Sequence, residues 1–122
     1  MHKILNVEDE PDILETLYTL IQGYLSSGEV VKATNGLDAF IHCQKEQFDL
    51  IITDHKMPFM TGAAFVIGAR TRVTQNKNTP IIMLSAYIDE ELKDKLKIQN
   101  VRFISKPFTP DDLIDVIRTY LI

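Results

Sequence analysis

Short apolar segments alternate with longer amphipathic segments along the whole chain. The apolar segments are rich in Ile, Val and Leu, and at least three of them show no alternation of apolar and polar positions. Such continuous runs are typical of strands that are buried on both faces of a parallel sheet. We therefore predict strands at residues 3–7, 29–34, 50–53, 81–85 and 101–105.

Between these segments, hydrophobic residues recur every three or four positions, which is the spacing of amphipathic helices. The predicted helices begin at Pro11 and at Asn35-Gly36, span about residues 62–73 and 90–98, and begin again at Thr109-Pro110, where the sequence is typical of a capping box. The fourth helix is mostly charged and should be the most exposed. Five strand–helix repeats predict an α/β fold in which a parallel sheet carries helices on both faces.

Composition narrows the class of protein. The 122 residues fit one domain, and 45% of them are hydrophobic, which is enough for a core. The single cysteine, Cys43, excludes an internal disulfide, and no apolar run approaches the roughly 20 residues that span a bilayer. The N-terminus becomes acidic too early for a signal peptide, and a net charge of −4 without a basic cluster argues against nucleic acid as the main partner. We expect a small, acidic, soluble, cytoplasmic domain.

Polar side chains follow four of the predicted strands. Ligands of open α/β sheets bind beyond the carboxyl ends of the strands, so these side chains should meet at one edge. They are Glu8-Asp9-Glu10 after the first strand, Asp54 after the third, Ser85 at the end of the fourth, and Lys106-Pro107 after the fifth. Each alone has an ordinary explanation, as a helix-start acid, a turn residue or a surface side chain. Their convergence on one edge is what favours a functional site.

The chemistry of this edge is typical of phosphoryl transfer. Carboxylates gathered in one place repel one another unless a cation joins them, and hard oxygen ligands without a His or Cys cluster favour Mg²⁺. A lysine and a hydroxyl beside the metal can hold the remaining phosphoryl oxygens. An aspartate can itself be the nucleophile and form an aspartyl-phosphate.

Four blocks of the sequence carry a family resemblance. ILNVEDEPDI, DLIITDHKMPFMTG, PIIMLSA and FISKPFTPDDL occur in this order over essentially the whole chain. Together they resemble the receiver domain of two-component response regulators. The resemblance implies a doubly wound, flavodoxin-like sheet of strand order 2-1-3-4-5. It also implies one receiver domain over residues 1–122, with no output domain attached, that is a signalling switch and not a turnover enzyme.

The resemblance assigns the acceptor and the metal ligands. Asp54 would accept the phosphoryl group from a histidine kinase or a histidine phosphotransfer protein. Mg²⁺ would be held by Glu8, Asp9, Asp54 and the backbone carbonyl of Lys56. The output would be a downstream protein or a covalently linked domain, reached through the fourth helix, fifth strand and fifth helix. Neither nucleic acid nor a membrane is expected to bind this chain directly.

The resemblance also assigns the switch. Lys106 would pair with the phosphoryl oxygens, and its peptide bond to Pro107 would be cis. Ser85 would move to bind the phosphate, and Phe103 would change rotamer with it. Phe103 lacks the hydroxyl of the tyrosine that other members carry, so any switching here must work by packing alone.

Several positions leave alternatives open. The side chain of Lys56 either reaches the phosphoryl group or a neighbouring carboxylate, or it stays in solvent. His55 and Tyr87 are candidate modulators of the lifetime of the phosphorylated state. Cys43 is expected to be a partly packed helix residue. Asn6, inside a central strand, needs a hydrogen-bond partner that the sequence does not identify.

Three other functions are alternatives to a phospho-accepting switch. A receiver-fold interaction module that is never phosphorylated has no need of the complete set Asp9, Asp54, Ser85 and Lys106. A phosphohydrolase of the haloacid-dehalogenase type would carry an aspartate where Lys56 stands. A flavodoxin would have a loop rich in hydroxyl residues and glycine after the first strand, and this chain has none.

Overall fold

The computed structural model of the chain describes residues 1–87 and 89–121. The strands are β1 (His2–Val7), β2 (Gly28–Ala33), β3 (Leu50–Asp54), β4 (Ile81–Ser85) and β5 (Val101–Ser105). The helices are α1 (Pro11–Tyr24), α2 (Gly36–Lys45), α3 (Gly62–Ala69), α4 (Glu90–Lys97) and α5 (Pro110–Tyr120). No helix in the described part of the chain is both long and apolar enough to cross a membrane.

All pairings between the strands are parallel, and the sheet has the order β2-β1-β3-β4-β5. This confirms the predicted fold and strand order. Every residue of β3 and β4 is buried, as are the last four residues of β1. The edge strands β2 and β5 are only partly buried, with Val30 and Ala33 buried in β2 and Val101 buried in β5. Burial on both faces of the central strands explains their continuous apolar sequences.

Each face of the sheet carries its own core, because successive strand residues point to opposite faces. On one face, Leu5 and Ile51 pack under α2, α3 and α4. On the other face, Ile4 and Ile52 pack under α1 and α5. The helix α4 contributes only Leu96 as a buried residue, which confirms that it is the most exposed helix.

The third helix is shorter than the sequence predicts. It ends at Ala69, whereas the predicted range of about 62–73 extended it by roughly one turn. The Thr71 hydroxyl donates to the carbonyl of Gly68 at 2.8 Å, and the Thr74 hydroxyl donates to the carbonyl of Ala69. These hydroxyls satisfy two carbonyls at the end of α3 that have lost their N–H partners of a continuing helix. Arg70 is the C-terminal cap of the helix.

Asn76 lies in a segment whose composition is typical of a polar loop, but the residue is fully buried. Its Nδ2 donates to the carbonyls of Cys43 at 3.0 Å and Glu46 at 2.9 Å. Its Oδ1 accepts from the Phe48 N–H at 2.8 Å and from the Thr79 hydroxyl at 2.9 Å. One side chain thus joins the loop after α3 to the connection between α2 and β3.

Two further core residues differ from what the sequence indicates. Cys43 is fully buried, not partly packed, and burial raises the pKa of its thiol to about 12. Asn6 is also fully buried, and its side-chain nitrogen and oxygen have no partner among the described residues. The hydrogen-bond partner expected for the Asn6 side chain is therefore not found among the described residues.

Candidate functional site

Three carboxylates meet where β1 and β3 end. Val7 of β1 pairs with Thr53 of β3, so Glu8, which follows β1, and Asp54, the last residue of β3, lie side by side. Carboxylate oxygens of Glu8, Asp9 and Asp54, which we call the acidic cluster, lie within 4.8 Å of one another. The register of two neighbouring parallel strands therefore assembles this cluster at the carboxyl edge of the sheet.

Glu8 is the most buried member of the acidic cluster, with 2% of its surface exposed. Its Oε1 accepts a hydrogen bond from the Glu10 N–H at 3.3 Å, whereas Oε2 has no partner in the described part of the chain. Burial, followed by the charge of Asp54, raises the pKa of Glu8 to about 7. The Glu10 N–H and the ammonium of Lys106 oppose this rise but do not cancel it. A buried carboxylate oxygen without a partner is the kind of group that a cation satisfies.

Lys106 reaches the acidic cluster from the end of β5. Its ammonium nitrogen lies 2.7 Å from Oδ1 of Asp54, which is itself buried. The Lys106 N–H donates to the Ser85 carbonyl at 2.8 Å, which fixes the start of this loop beside β4. The peptide bond between Lys106 and Pro107 is cis. Asp54 therefore lies beside two other carboxylates and is paired with the ammonium of Lys106.

Ser85 and Phe103 lie on neighbouring strands. Ser85 ends β4 and is buried, and its hydroxyl donates to the carbonyl of Tyr87 two residues further on. Phe103 lies in β5 opposite Met83 and packs, half-buried, against the core under α2, α3 and α4. In this structure the hydroxyl of Ser85 is therefore engaged by its own loop and not by the acidic cluster.

An open cavity of about 430 Å³ adjoins Ser85. Its lining includes His55 and Lys56 after β3, Tyr87 after β4, and Leu92 of α4. His55 is half-buried with its Nδ1 unpartnered among the described residues, and the side chains of Lys56 and Tyr87 are exposed. The three candidate modulators thus surround one space, with Ser85 in its wall.

Gly62 seats the start of α3 against the end of β3. A Cβ at this position would lie 2.7 Å from the carbonyl oxygen of Asp54 and 2.9 Å from Cα of His55. The Gly62 N–H donates to the His55 carbonyl at 2.8 Å and closes the loop of residues 55–61. The sequence marks Gly62 only as a helix start, because the close approach of two backbone segments leaves no trace in a hydrophobic pattern.

A doubly wound α/β sheet with an acidic cluster and a lysine at its carboxyl edge belongs to the class of proteins that bind their ligands at that edge. Comparison with known families narrows this class. A family model described as the response regulator receiver domain matches residues 4–118. The chain belongs to this family, whose members are signalling switches of two-component systems.

Individual relatives agree with this assignment. The chain is 38% identical over 125 residues to the probable transcriptional regulator ycf27 of Porphyra purpurea, covering 98% of the chain and 47% of that relative. It is 34% identical over 112 residues to hybrid signal transduction histidine kinase D of Dictyostelium discoideum, covering 91% of the chain and 7% of that relative. Among solved structures, it is similar to the chemotaxis protein CheY4 of Vibrio cholerae, with 35% identity, a TM-score of 0.86 and 99% of both chains covered. The chain therefore spans less than half the length of these two curated relatives.

Proposed function

We propose that this chain is the phospho-accepting switch of a two-component phosphorelay. In this role, Asp54 accepts a phosphoryl group from a phosphohistidine of a histidine kinase or a histidine phosphotransfer protein. The observation that carries the proposal is the 2.7 Å ion pair between Lys106 and Asp54 inside the acidic cluster. This arrangement supplies a nucleophile, charge neutralisation and candidate metal ligands, which are the parts that phosphoryl transfer requires. The relatives named as a histidine kinase and a transcriptional regulator support such donors and outputs.

The acidic cluster fits Mg²⁺. Its donors are hard oxygen atoms, and Oε2 of Glu8 is buried without a protein partner among the described residues. Glu8, Asp9 and Asp54 would hold the ion, and the backbone carbonyl of Lys56 would add a further ligand. When bound, Mg²⁺ neutralises the carboxylates together with the oxygens of the incoming phosphoryl group.

The chemical step uses the carboxylate of Asp54 as the nucleophile. One of its oxygens attacks the phosphorus, and the new O–P bond forms as the N–P bond of the phosphohistidine breaks. The imidazole leaves with the electron pair and takes up a proton, while Lys106 pairs with a phosphoryl oxygen. Hydrolysis resets the switch when water attacks the phosphorus, the O–P bond to Asp54 breaks and inorganic phosphate leaves. His55, Lys56 and Tyr87 line the cavity beside Ser85 and control the access of that water.

Phosphorylation changes the chain through Ser85. Its hydroxyl donates to the carbonyl of Tyr87, so it must leave this partner in order to bind the phosphoryl group. Phe103 then repacks, and the surface formed by α4, β5 and α5 changes its preference for a downstream protein or a linked output domain. This is a population shift, because the phosphoryl group favours the active state only by the contacts that it gains there.

The acceptor is tested by measuring the intact mass of the protein after incubation with Mg²⁺ and acetyl phosphate. The wild-type chain should gain one phosphoryl group that mild alkali removes, as expected for an acyl phosphate. Asp54→Asn should gain none, because an amide does not replace the carboxylate as a nucleophile. Asp49→Asn changes an exposed aspartate just before β3, at the end of the strand opposite to Asp54, and should behave like the wild type. A gain that persists in Asp54→Asn would place the acceptor elsewhere.

The same measurement separates the alternatives. An interaction module that is never phosphorylated gains no phosphoryl group, either from acetyl phosphate or from a kinase. A phosphohydrolase turns over added phosphoesters and releases phosphate continuously. The ion pair between Lys106 and Asp54 argues against the first alternative, and Lys56 at the position of the second catalytic aspartate argues against the other.

Lys106→Ala should separate metal binding from switching. The lysine is not a metal ligand, and loss of a nearby cation makes the acidic cluster more attractive to Mg²⁺. We therefore expect Mg²⁺ binding, followed by calorimetry, to persist or tighten. The amide NMR signals of α4, β5 and α5 should no longer shift when acetyl phosphate is added. Lys95→Ala, which removes an exposed lysine paired with Glu91, is the control and should respond like the wild type. If the NMR signals of Lys106→Ala shift as they do in the wild type, Lys106 has no part in the mechanism.

A further inference from the structure

One aromatic side chain projects into solvent beside the proposed acceptor. Phe59 lies in the loop of residues 55–61 between β3 and α3, and 95% of its surface is exposed. The loop itself is well packed, because Met57 is buried and Met60 contacts Gly36 closely. A Cβ on Gly36 would lie 2.9 Å from Cβ of Met60. The loop therefore packs its two methionines against the protein and leaves Phe59 outside.

The backbone holds Phe59 in a conformation that bulky residues rarely adopt. Its φ is 69°, and the Met60 N–H donates to the Pro58 carbonyl at 2.7 Å. A three-residue turn with positive φ at its centre is rare and strained, and glycine or asparagine adopts positive φ more readily. Phenylalanine at this place makes no contribution to the core and exposes a large apolar surface. Contact with a partner would bury this surface.

Phe59 lies within reach of any protein that docks over Asp54. Gly62 abuts the carbonyl of Asp54. Phe59 is three residues from Gly62, so the Cα atoms of Phe59 and Gly62 are at most about 11 Å apart. A standard interface covers about 800 Å² on each partner, which corresponds to a disc of about 16 Å radius. A protein that brings a phosphohistidine onto Asp54 at the centre of such an interface therefore extends to the loop that carries Phe59.

We propose that Phe59 is the aromatic anchor by which this chain docks on its phosphohistidine-bearing protein donor, with the ring inserted into an apolar pocket of that donor. The inference rests on the proposed function. Aromatic residues that become buried in a pocket of the partner are frequent hot spots, and a fixed backbone reduces the entropy lost on binding. Acetyl phosphate buries no such surface, so the ring of Phe59 affects transfer from proteins and not from small donors.

The test compares these two kinds of donor. The histidine kinases of the source organism are autophosphorylated and profiled one at a time against the wild-type chain, and the fastest donor is the probe. Phe59→Asn keeps a residue that tolerates positive φ, and Phe59→Tyr keeps the ring. We expect Phe59→Asn to raise the half-saturating receiver concentration in single-turnover transfer by about 10- to 100-fold, with little change in the maximal rate. Phe59→Tyr should stay close to the wild type.

The matched control is Ile98→Ala. Ile98 is 86% exposed but lies at the end of α4, at the opposite edge of the sheet, so transfer to this variant should not change. Acetyl phosphate should phosphorylate all the chains at the same rate. The inference is overturned if transfer to Phe59→Asn stays within twofold of the wild type, or if the wild type accepts from acetyl phosphate but from no kinase; the acceptor role of Asp54 survives both results. A wild-type chain that accepts from neither donor overturns the proposed function and the inference together.

Discussion

Asn76→Ala should lower the free energy of unfolding by about 3 kcal/mol. The Asn76 side chain is fully buried and makes four hydrogen bonds. Alanine would leave the Phe48 N–H and the Glu46 carbonyl without the partner they have in this structure. Each buried group that loses its partner costs about 1–3 kcal/mol, and water that enters the vacated space recovers part of this cost. The loss is large against the total of about 5–15 kcal/mol by which small domains are stable.

Urea unfolding followed by far-UV circular dichroism measures this loss, with the slope of the transition expected to stay the same. Asn78→Ala is the matched control, because Asn78 lies two residues further along the same loop and is exposed. Its free energy of unfolding should change by less than about 0.5 kcal/mol. Equal stability of the two variants would show that the buried amide is not what holds the loop.

Asn76 also shows where reasoning from the sequence stops. The segment Gln75-Asn76-Lys77-Asn78 has the composition of a solvated loop, and a hydrophobic pattern carries no sign that one of its amides is buried. Three of the four hydrogen bonds of the Asn76 side chain reach residues 28–33 positions earlier in the chain. Such long-range polar contacts depend on how the finished elements pack, which local periodicity does not record. The same limit applies to α3, whose last carbonyls accept hydrogen bonds from two threonine hydroxyls that follow the helix.

The fold was predictable for the opposite reason. Residues buried on both faces of β3 and β4 must be continuously apolar, and amphipathic helices must repeat at their own period, so both appear directly in the sequence. The acidic cluster was also within reach, because parallel strands end at a common edge and carry the residues that follow them to that edge. The hydroxyl direction of Ser85 and the φ of Phe59 were not, because both depend on the conformation of single loops.

The electrostatics of the site refine what the charge count implies. The net charge of −4 includes Glu8, Asp9 and Asp54, so most of the excess acidity lies in one cluster. Because the pKa of Glu8 is raised to about 7, this carboxyl is partly protonated at neutral pH unless a cation binds. In the metal-free protein, ionisation of Glu8 therefore lowers the free energy of unfolding.

Glu8→Gln should stabilise the metal-free protein at pH 8 by about 3 kcal/mol. The pKa of Glu8 is about 7 in the folded chain against an ordinary value of 4.5. Between these two pH values the folded state binds more protons than the unfolded state, so the wild type loses stability as the pH rises through this window. Glutamine does not titrate and avoids this loss. The difference in free energy of unfolding between the two proteins should therefore be small near pH 4 and should grow progressively up to pH 8.

Mg²⁺ should reverse the advantage of Glu8→Gln. A ligand that binds only the folded state stabilises it in proportion to the logarithm of its concentration over its dissociation constant. Loss of a buried carboxylate at the acidic cluster should weaken Mg²⁺ binding by at least about tenfold, so added Mg²⁺ raises the melting temperature of the wild type far more than that of the variant. Glu10→Gln removes the same charge from an exposed neighbour and should follow the wild type in both the pH and the Mg²⁺ series. If the melting temperatures of all three proteins change in parallel in both series, Glu8 neither carries the raised pKa nor contributes to the metal site.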